Sequence, residues 1–433
     1  VKLRRLAVPA GQKVRQVHEV VRDEFIVREE LQMNCTALTE ATPIAGNFAP
    51  DFRKPMNKAI PVVSTLVLLA CGSPATTEPK TAAPKDSIPA TSNVLDSAFW
   101  RSDSLIQPGE THFAHLRQLT FGGDNAEAYW DFAGDKLSFQ AHNPAWGEQC
   151  DQIYVFNPFK DDLRNQQPQK VSINGGRTTC SYFLPGDSLV LFASTHLGDT
   201  ACPPVPPHVP GGKYIWPIYP SFDIFVTDLK GNIRKQLTDT PGYDAEATVS
   251  PKGDRIVFTS MRNGDMDLYT MNIDGSDVKQ VTKDLGYDGG AFFSPDGTKL
   301  VWRASRPKTP AEVKEYKDLL KIGQVQPTQM EVFIANADGS NAKQITNLGQ
   351  ANWAPYWNPD GKHIIFASNH ATERGFPFNL WMVDTAGQNL ERLTNSDMFD
   401  AFPVFSKDGK YLVFSSNRGA TNHQTNLFIA EWK

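Results

Sequence analysis

A strong charge of either sign is what this 433-residue sequence most plainly lacks. Its 43 Lys and Arg stand against 48 Asp and Glu, giving a formal net charge of -5 and a pI near 6.0. A chain so balanced has no general electrostatic attraction to nucleic acid or to an anionic membrane surface, and no nucleic-acid partner is expected. Cysteine is scarce, at five residues, and no CxxC or HxxxH spacing occurs. A zinc site is therefore not expected, and nothing in the sequence calls for another metal or a cofactor. Neither a G-x-S-x-G nucleophile elbow nor an H-E-x-x-H helix is present, which removes two recognisable signatures of hydrolytic catalysis. Long apolar runs are missing too: Ala59 to Ala70 is about a dozen residues, too short to cross a bilayer. What remains is ordinary globular material, 40% hydrophobic and 11% aromatic, with no shortage of side chains for a core.

That apolar run carries its own message. Met56 and Lys58 precede it, and "LLAC", Leu68 to Cys71, ends it. Basic start, short apolar stretch and terminal cysteine resemble a bacterial lipoprotein signal, residues 56–70, which implies cleavage before Cys71 and acylation of its thiol. Residues 1–55 stand in front of such a signal and are expected to be an upstream or mis-started segment with little structure. From Cys71 to about residue 100 the chain is rich in Pro, Thr, Ser and Ala, the composition of a disordered tether. Gly72 and Ser73 lack the Asp that retains lipoproteins at the inner membrane. The expectation is a lipid anchor in the outer membrane, facing the periplasm.

The rest of the chain repeats itself. "TVSPKGDRIVFTS", "FFSPDGTKLVWRAS", "YWNPDGKHIIFAS" and "VFSKDGKYLVFSS" are one hairpin written four times. Pro sets the first bend, Asp can hydrogen-bond its own turn, and Gly accepts the positive φ that closes it. In register, the turn glycines are Gly134, Gly186, Gly253, Gly297, Gly361 and Gly409. Each unit opens with a "QLT"-like strand, such as Gln236-Leu237-Thr238, with Val171-Ser172 as a degenerate copy, and closes with a strand such as "DLYTMN" or "NLWMVD". Four short strands per unit and six units predict an all-β fold, a six-bladed β-propeller of four-stranded blades over residues 116–433.

The pattern "LT…SPDG…FxS…DLYxMNxDGS" resembles the TolB-like propeller repeat. In that family the strand before each hairpin belongs to the preceding blade. The resemblance therefore implies that the strand near Leu116 to Thr120 closes the ring against the one near Leu427 to Trp432. It also implies a protein or peptide of the cell envelope as partner, in a complex of the Tol type.

If the hairpins are in register, the loop before each inner strand and the loop after each second strand lie at one end of the disc. Every long insertion falls there: Leu197 to Pro220, Pro307 to Gln329, and shorter ones after His370 and Arg418. The second should hold a helix with Thr309 as N-cap, Pro310 first, Glu312 completing a capping box and Gly323 beyond its end. It is expected either to pack on the rim or to cover the channel mouth.

The same end carries paired polar positions. Nine residues before the turn glycines stand Asn125, Arg177, Asp244, Asp288, Asn352 and Asp400; four after the strand-end aromatics stand Asn143, His196, Arg262, Arg306, His370 and Arg418. Wherever the first is Asp the second is Arg, so Asp244 with Arg262, Asp288 with Arg306 and Asp400 with Arg418 read as ion pairs within blades. Blade two has Arg177 and His196 and no carboxylate in register, with Glu127 and Glu246 on the inner strands of the flanking blades. These four and His142 are the candidate ligand residues, for a carboxylate, a phosphate or an acidic peptide end; the plainer alternative is that Glu127 neutralises Arg177. Cys150, Cys180 and Cys202 fall nearby. An exported protein should oxidise two of them, and the sequence allows any of three pairings.

A non-catalytic, membrane-anchored scaffold that binds a protein or peptide at its loop-rich face is the function this reading favours. The competing one is a lyase or hydrolase acting on an acidic saccharide or peptide at the channel mouth, with His142 or His196 as base.

Overall fold

The computed structural model describes Leu95 and residues 98–433, except 207–211, 374, 398 and 421–423. The signal segment, Cys71 and most of the tether lie outside the described residues. Six four-stranded antiparallel sheets follow one another along the described chain. Their innermost strands, in blades one to six, are Asp124–Trp130, Thr178–Phe183, Asp244–Val249, Asp288–Phe293, Asn352–Trp357 and Asp400–Phe405. Each packs against the next, and the first packs back against blade six, which completes the ring. Within a blade the chain runs outward; blade three continues through Arg255–Ser260, Asp267–Asn272 and Lys279–Gln280. Blade six takes its outermost strand from the other end of the propeller. Phe113–Gln118 pairs with Asn426–Trp432 and sets Leu116 opposite Ala430. The six-bladed propeller is the fold the repeat predicts, and its closure is the one the family resemblance implies.

The repeated residues have local jobs. In "SPDG", Gly297 has φ +74° and donates its N–H to the Ser294 carbonyl at 2.8 Å. Asp296 Oδ1 accepts from Thr298 N at 3.0 Å and from Ser294 Oγ at 2.6 Å, so the turn satisfies its own donors. The threonine of "QLT" extends a ladder that the short outer strand cannot finish. Thr120, Thr238, Thr282, Thr346 and Thr394, with Ser172 in the degenerate copy, each accept a third-strand N–H at 2.8 to 3.0 Å. A buried N–H that would otherwise lack a partner explains why a hydroxyl recurs there.

Each inner strand breaks register once. The breaks follow Ala126, Thr179, Ala245, Gly289, Trp353 and Ala401. At or beside each stands a residue with positive φ: Glu127, Cys180, Glu246, Gly290, Ala354 and Phe402. A bulge bends its strand and re-aims one side chain. Repeated six times at one level, it sends Glu127, Cys180 and Glu246 toward the axis.

Candidate binding site

At the insertion-bearing end, Arg262 Nη2 donates to Asp244 at 3.1 and 3.2 Å, Arg306 Nη2 to Asp288 at 2.6 Å and Arg418 Nη2 to Asp400 at 2.9 Å. All three carboxylates are buried. Burial raises the pKa of Asp288 to about 7, although Arg306 opposes the shift. Arg418 also holds Glu110, from the segment ahead of the closing strand, through two bonds of 3.0 Å, and Glu110 is itself buried. These groups tie loops and close the ring; they are not offered to a ligand. In blades two and five the place of the arginine falls to His196 and His370. Their Nδ1 atoms meet the hydroxyls of Ser194 and Ser368 at 3.0 and 2.8 Å, and their rings lie against Phe225 and Trp381. Burial lowers the pKa of both, which favours the neutral imidazole.

Blade two departs from the register read in the sequence. Asp187, with φ +57°, holds the turn position that glycine holds elsewhere and donates its N–H to Leu184 O at 3.1 Å. Gly186 is one residue early. Asp187 stands there for a reason: its carboxylate accepts from Phe132 N and Ala133 N of blade one at 2.8 and 3.1 Å. Counting back from Asp187 puts Thr178, opposite Ser194, at the start of the inner strand. Arg177 lies just outside it and pairs with Asp151 of blade one, not with Glu127. The candidate set is thus divided. His142 sits opposite Asp124 and is not among the partners of either glutamate, Arg177 and His196 are engaged elsewhere, and only Glu127 and Glu246 share the axis.

Glu246 is held by Arg303, from the second strand of blade four, whose charge also reaches Glu127. Arg303 Nη2 donates to Glu246 and, at 2.8 Å, to the Tyr287 hydroxyl. Glu246 also accepts from Thr259 Oγ1 and Tyr287 Oη, both at 2.8 Å, and from Gly290 N at 2.9 Å. Burial pushes the Glu246 carboxyl up, but Arg303 and these hydrogen bonds outweigh it and hold it below the ordinary range. Glycines make the room: a Cβ on Gly290 would strike Arg303 Nη1 at 1.7 Å, and one on Gly289 would strike Glu246 at 2.3 Å. A signal for Arg303 does exist in the repeat. The residue after the strand-end aromatic is Gln140, Ala193, Thr259, Ala367 or Ser415 in the other blades, and only blade four has Arg there, facing "DGGAFF" on its inner strand.

Glu127 has a different lot. Among the described residues its side-chain donor is the Cys180 thiol, at 3.0 Å. Burial raises its pKa to about 7, and the charge of Glu246 adds to the effect. It is only partly covered, so it can take up or release a proton near neutral pH. Cys180 is the free cysteine among the described residues, and burial holds it as a thiol with a pKa well above the ordinary value. The oxidised pair is Cys150 with Cys202.

The chamber around these groups is closed at both ends. Toward the hairpin turns, Tyr129 of blade one meets Phe292 of blade four at 5.7 Å, and the hydroxyls of Tyr182 and Tyr356, blades two and five, are hydrogen-bonded. Both contacts run between opposite blades, so aromatic rings fill the axis. At the other end the insertions of blades two and four pair as a ribbon, Trp216–Pro217 against Gln324–Val325. Trp216 reaches Trp353 of blade five at 5.2 Å and lies 5.5 Å from the Arg303 guanidinium. The ribbon therefore spans the mouth. Helix α1, Pro310–Lys321, has the Thr309–Glu312 capping box, and its Tyr316 hydroxyl donates to Asp265 of blade three. The helix packs on the rim while the ribbon behind it forms the roof.

Residues 219–311 and 318–425 match the family described as TolB beta propeller domain. Among solved structures, the chain is similar to a protein assigned as TolB from Agrobacterium tumefaciens, at 18% identity over 72% of this chain and 91% of that one, with a TM-score of 0.44. It is similar to TolB from Acinetobacter baumannii at 17% identity, over 69% of this chain and 65% of that one, with a TM-score of 0.48. An oligogalacturonate lyase in complex with manganese matches at 13% identity over 74% and 95%, with a TM-score of 0.43. No curated protein matches. The repeat match, taken with six four-stranded blades closed by an N-terminal strand, makes this chain a TolB-like six-bladed β-propeller.

Proposed function

We propose that this propeller is a cell-envelope binding protein that docks a protein or peptide on its insertion-bearing end without chemically altering it. The observation that carries this reading is where its apolar side chains meet solvent. Leu197 (61% exposed), Val205 (45%), Ile322 (67%) and Phe376 (46%) all belong to connections between the second and third strands of their blades, and hence to one end of the disc. Ile233, Val278 and Leu390 are less exposed, at 41, 39 and 39%, and sit one to a blade near the fourth strands, so the more exposed group marks the insertion-bearing end as the docking surface. Beneath them the ionisable groups of the axis lie under Trp216, which favours docking over turnover. The lipid anchor at Cys71 and a place in the outer membrane facing the periplasm are part of the same proposal, and a Cys150–Cys202 disulfide suits that oxidising compartment. The test is affinity capture from envelope extracts with the parent chain and with Leu197→Asp/Ile322→Asp. Loss of the principal captured protein in the variant is the expected result; an unchanged set of partners sinks the reading.

One observation favours the second reading, a lyase or hydrolase acting on an acidic saccharide or peptide: the Glu127 carboxyl, with a pKa of about 7 beside the Arg303 layer. It requires the ribbon to lift. Turnover of acidic polysaccharides that disappears in Glu127→Gln would move the assignment to this reading.

A further inference from the structure

The seam where the ring closes holds a second polar site, at the junction of blades six and one. A cleft of about 290 Å³ is lined there by Arg101, Arg117 and Arg164, with Ser102, Ser104 and Asp162. Three elements supply the guanidiniums: the lead-in to the closing strand, the closing strand itself, and the loop between the third and fourth strands of blade one. One carboxylate in the cleft faces these three cations. Arg164 engages it, Nε and Nη2 lying 2.8 and 2.7 Å from Asp162. Arg117 is held by backbone carbonyls alone, those of Pro158 at 3.0 Å and Asp161 at 3.3 Å, and its guanidinium lies 4.2 Å from the Phe99 ring. Arg101 turns its Nε to Ala98 O, and neither Arg101 nor Arg117 forms an ion pair among the described residues. Ser102 Oγ accepts from Gln118 N at 3.0 Å and keeps its own proton to donate. The other acids close by are committed: Asp103 to His115 and Leu116 N, and Asp161 to Asn157 N.

Like charges brought together this way repel, and the repulsion registers on Arg117. Burial lowers its pKa, Asp162 opposes the shift, and Arg101 and Arg164 add to it. An anion entering the cleft relieves that repulsion. Fixed guanidinium forks match planar or tetrahedral oxyanions, and three of them offer more donors than the two oxygens of one carboxylate accept. A phosphate carries more oxygens and up to two charges.

The geometry points to a binding site for a phosphate ester in this cleft, small enough to be a phosphorylated three-carbon unit, either free or as the headgroup of a phospholipid. The site is independent of the docking face proposed above, and neither stands on the other. Binding of sn-glycerol 3-phosphate is measured calorimetrically at low salt with the full chain carrying Cys71→Ser, so that no lipid anchor contributes. Co-sedimentation of the same protein with phosphatidylglycerol and with phosphatidylcholine vesicles forms the second arm. Arg101→Ala/Arg164→Ala, at two exposed side chains, is expected to weaken binding at least ~10-fold, the scale of one lost charge-assisted hydrogen bond. Asp162→Asn, which removes the competing carboxylate, is expected to strengthen it. Binding of the soluble ester without vesicles assigns a free phosphate ester; selective sedimentation with phosphatidylglycerol assigns a headgroup. The proposal is overturned if neither probe binds, if glycerate binds as well as the phosphate ester, or if the double variant binds like its parent.

Discussion

Arg303→Met is the sharpest probe of the axial chamber. The substitution keeps an unbranched side chain of similar length and removes the charge. Glu246 then remains in a buried site with three neutral donors, Thr259 Oγ1, Tyr287 Oη and Gly290 N. Breaking a buried pair costs about 3–5 kcal/mol, and the surviving hydrogen bonds place this case near the lower figure, about 3 kcal/mol. The sign of its pH dependence follows. Glu246 now titrates below the ordinary carboxylate range because Arg303 and its donors outweigh burial. With the guanidinium gone, burial prevails and the folded-state pKa rises above the unfolded one. Its ionisation then opposes folding, so the penalty is full above the new pKa and recedes as pH falls and a proton neutralises the carboxyl. Urea unfolding followed by tryptophan fluorescence, against the parent at pH 5 and at pH 8, should show about 3 kcal/mol lost at pH 8 and less than half of that at pH 5. Adding Glu246→Gln should recover most of the loss, because the amide oxygen can keep the bonds from Thr259 and Gly290 while its NH2 donates to the Tyr287 hydroxyl oxygen, with no charge left buried. A cost below about 1 kcal/mol at pH 8, equal costs at the two pH values, or no recovery in the double variant refutes the account of the chamber.

Other outcomes follow from neighbouring features. Glu127, with a pKa raised from 4.5 to about 7, opposes folding increasingly as pH climbs through that interval. Glu127→Gln should therefore gain about 2–3 kcal/mol over the parent at pH 8 and nothing at pH 4, read from paired denaturation curves. Glu110→Ala strips two bonds from buried Arg418 at the ring seam and should cost about 3–5 kcal/mol, with hydrogen exchange rising first in Phe113–Gln118. Cys202→Ser frees the blade-two insertion from Cys150 across 52 residues of chain; chain entropy sets the stability loss at about 4 kcal/mol at most, and a drop in melting temperature that reductant does not deepen is the check.

The architecture was legible because each blade restates the same local chemistry: a turn that needs Gly, a hydroxyl that finishes a ladder, apolar strands between. Repetition let copies correct one another. It failed where a copy was altered for a reason outside itself. Gly186 drew the register of blade two one residue off because Asp187, which holds the turn position, serves blade one. The pairing of Trp216 with Val325 joins two insertions that share no motif, so nothing local announces it. Glu110 lies ahead of the repeat, where internal comparison has no second copy to offer. Arg303 is legible as the lone Arg in its column opposite a Gly-Gly, but it lies inside a strand, away from the paired loop positions that the repeat makes conspicuous.

The closing strand has a consequence for how this protein comes into being. Phe113–Gln118 leaves the ribosome more than 300 residues before its partner Asn426–Trp432. Throughout synthesis the nascent chain carries an unpaired edge that any other extended segment can capture. Glu110 and Arg418 are separated in time in the same way, so a buried acid and a buried base each wait, hydrated, for the other. The fold is thus completed in its final step, and until that step every copy in the cell is a candidate strand donor for its neighbours.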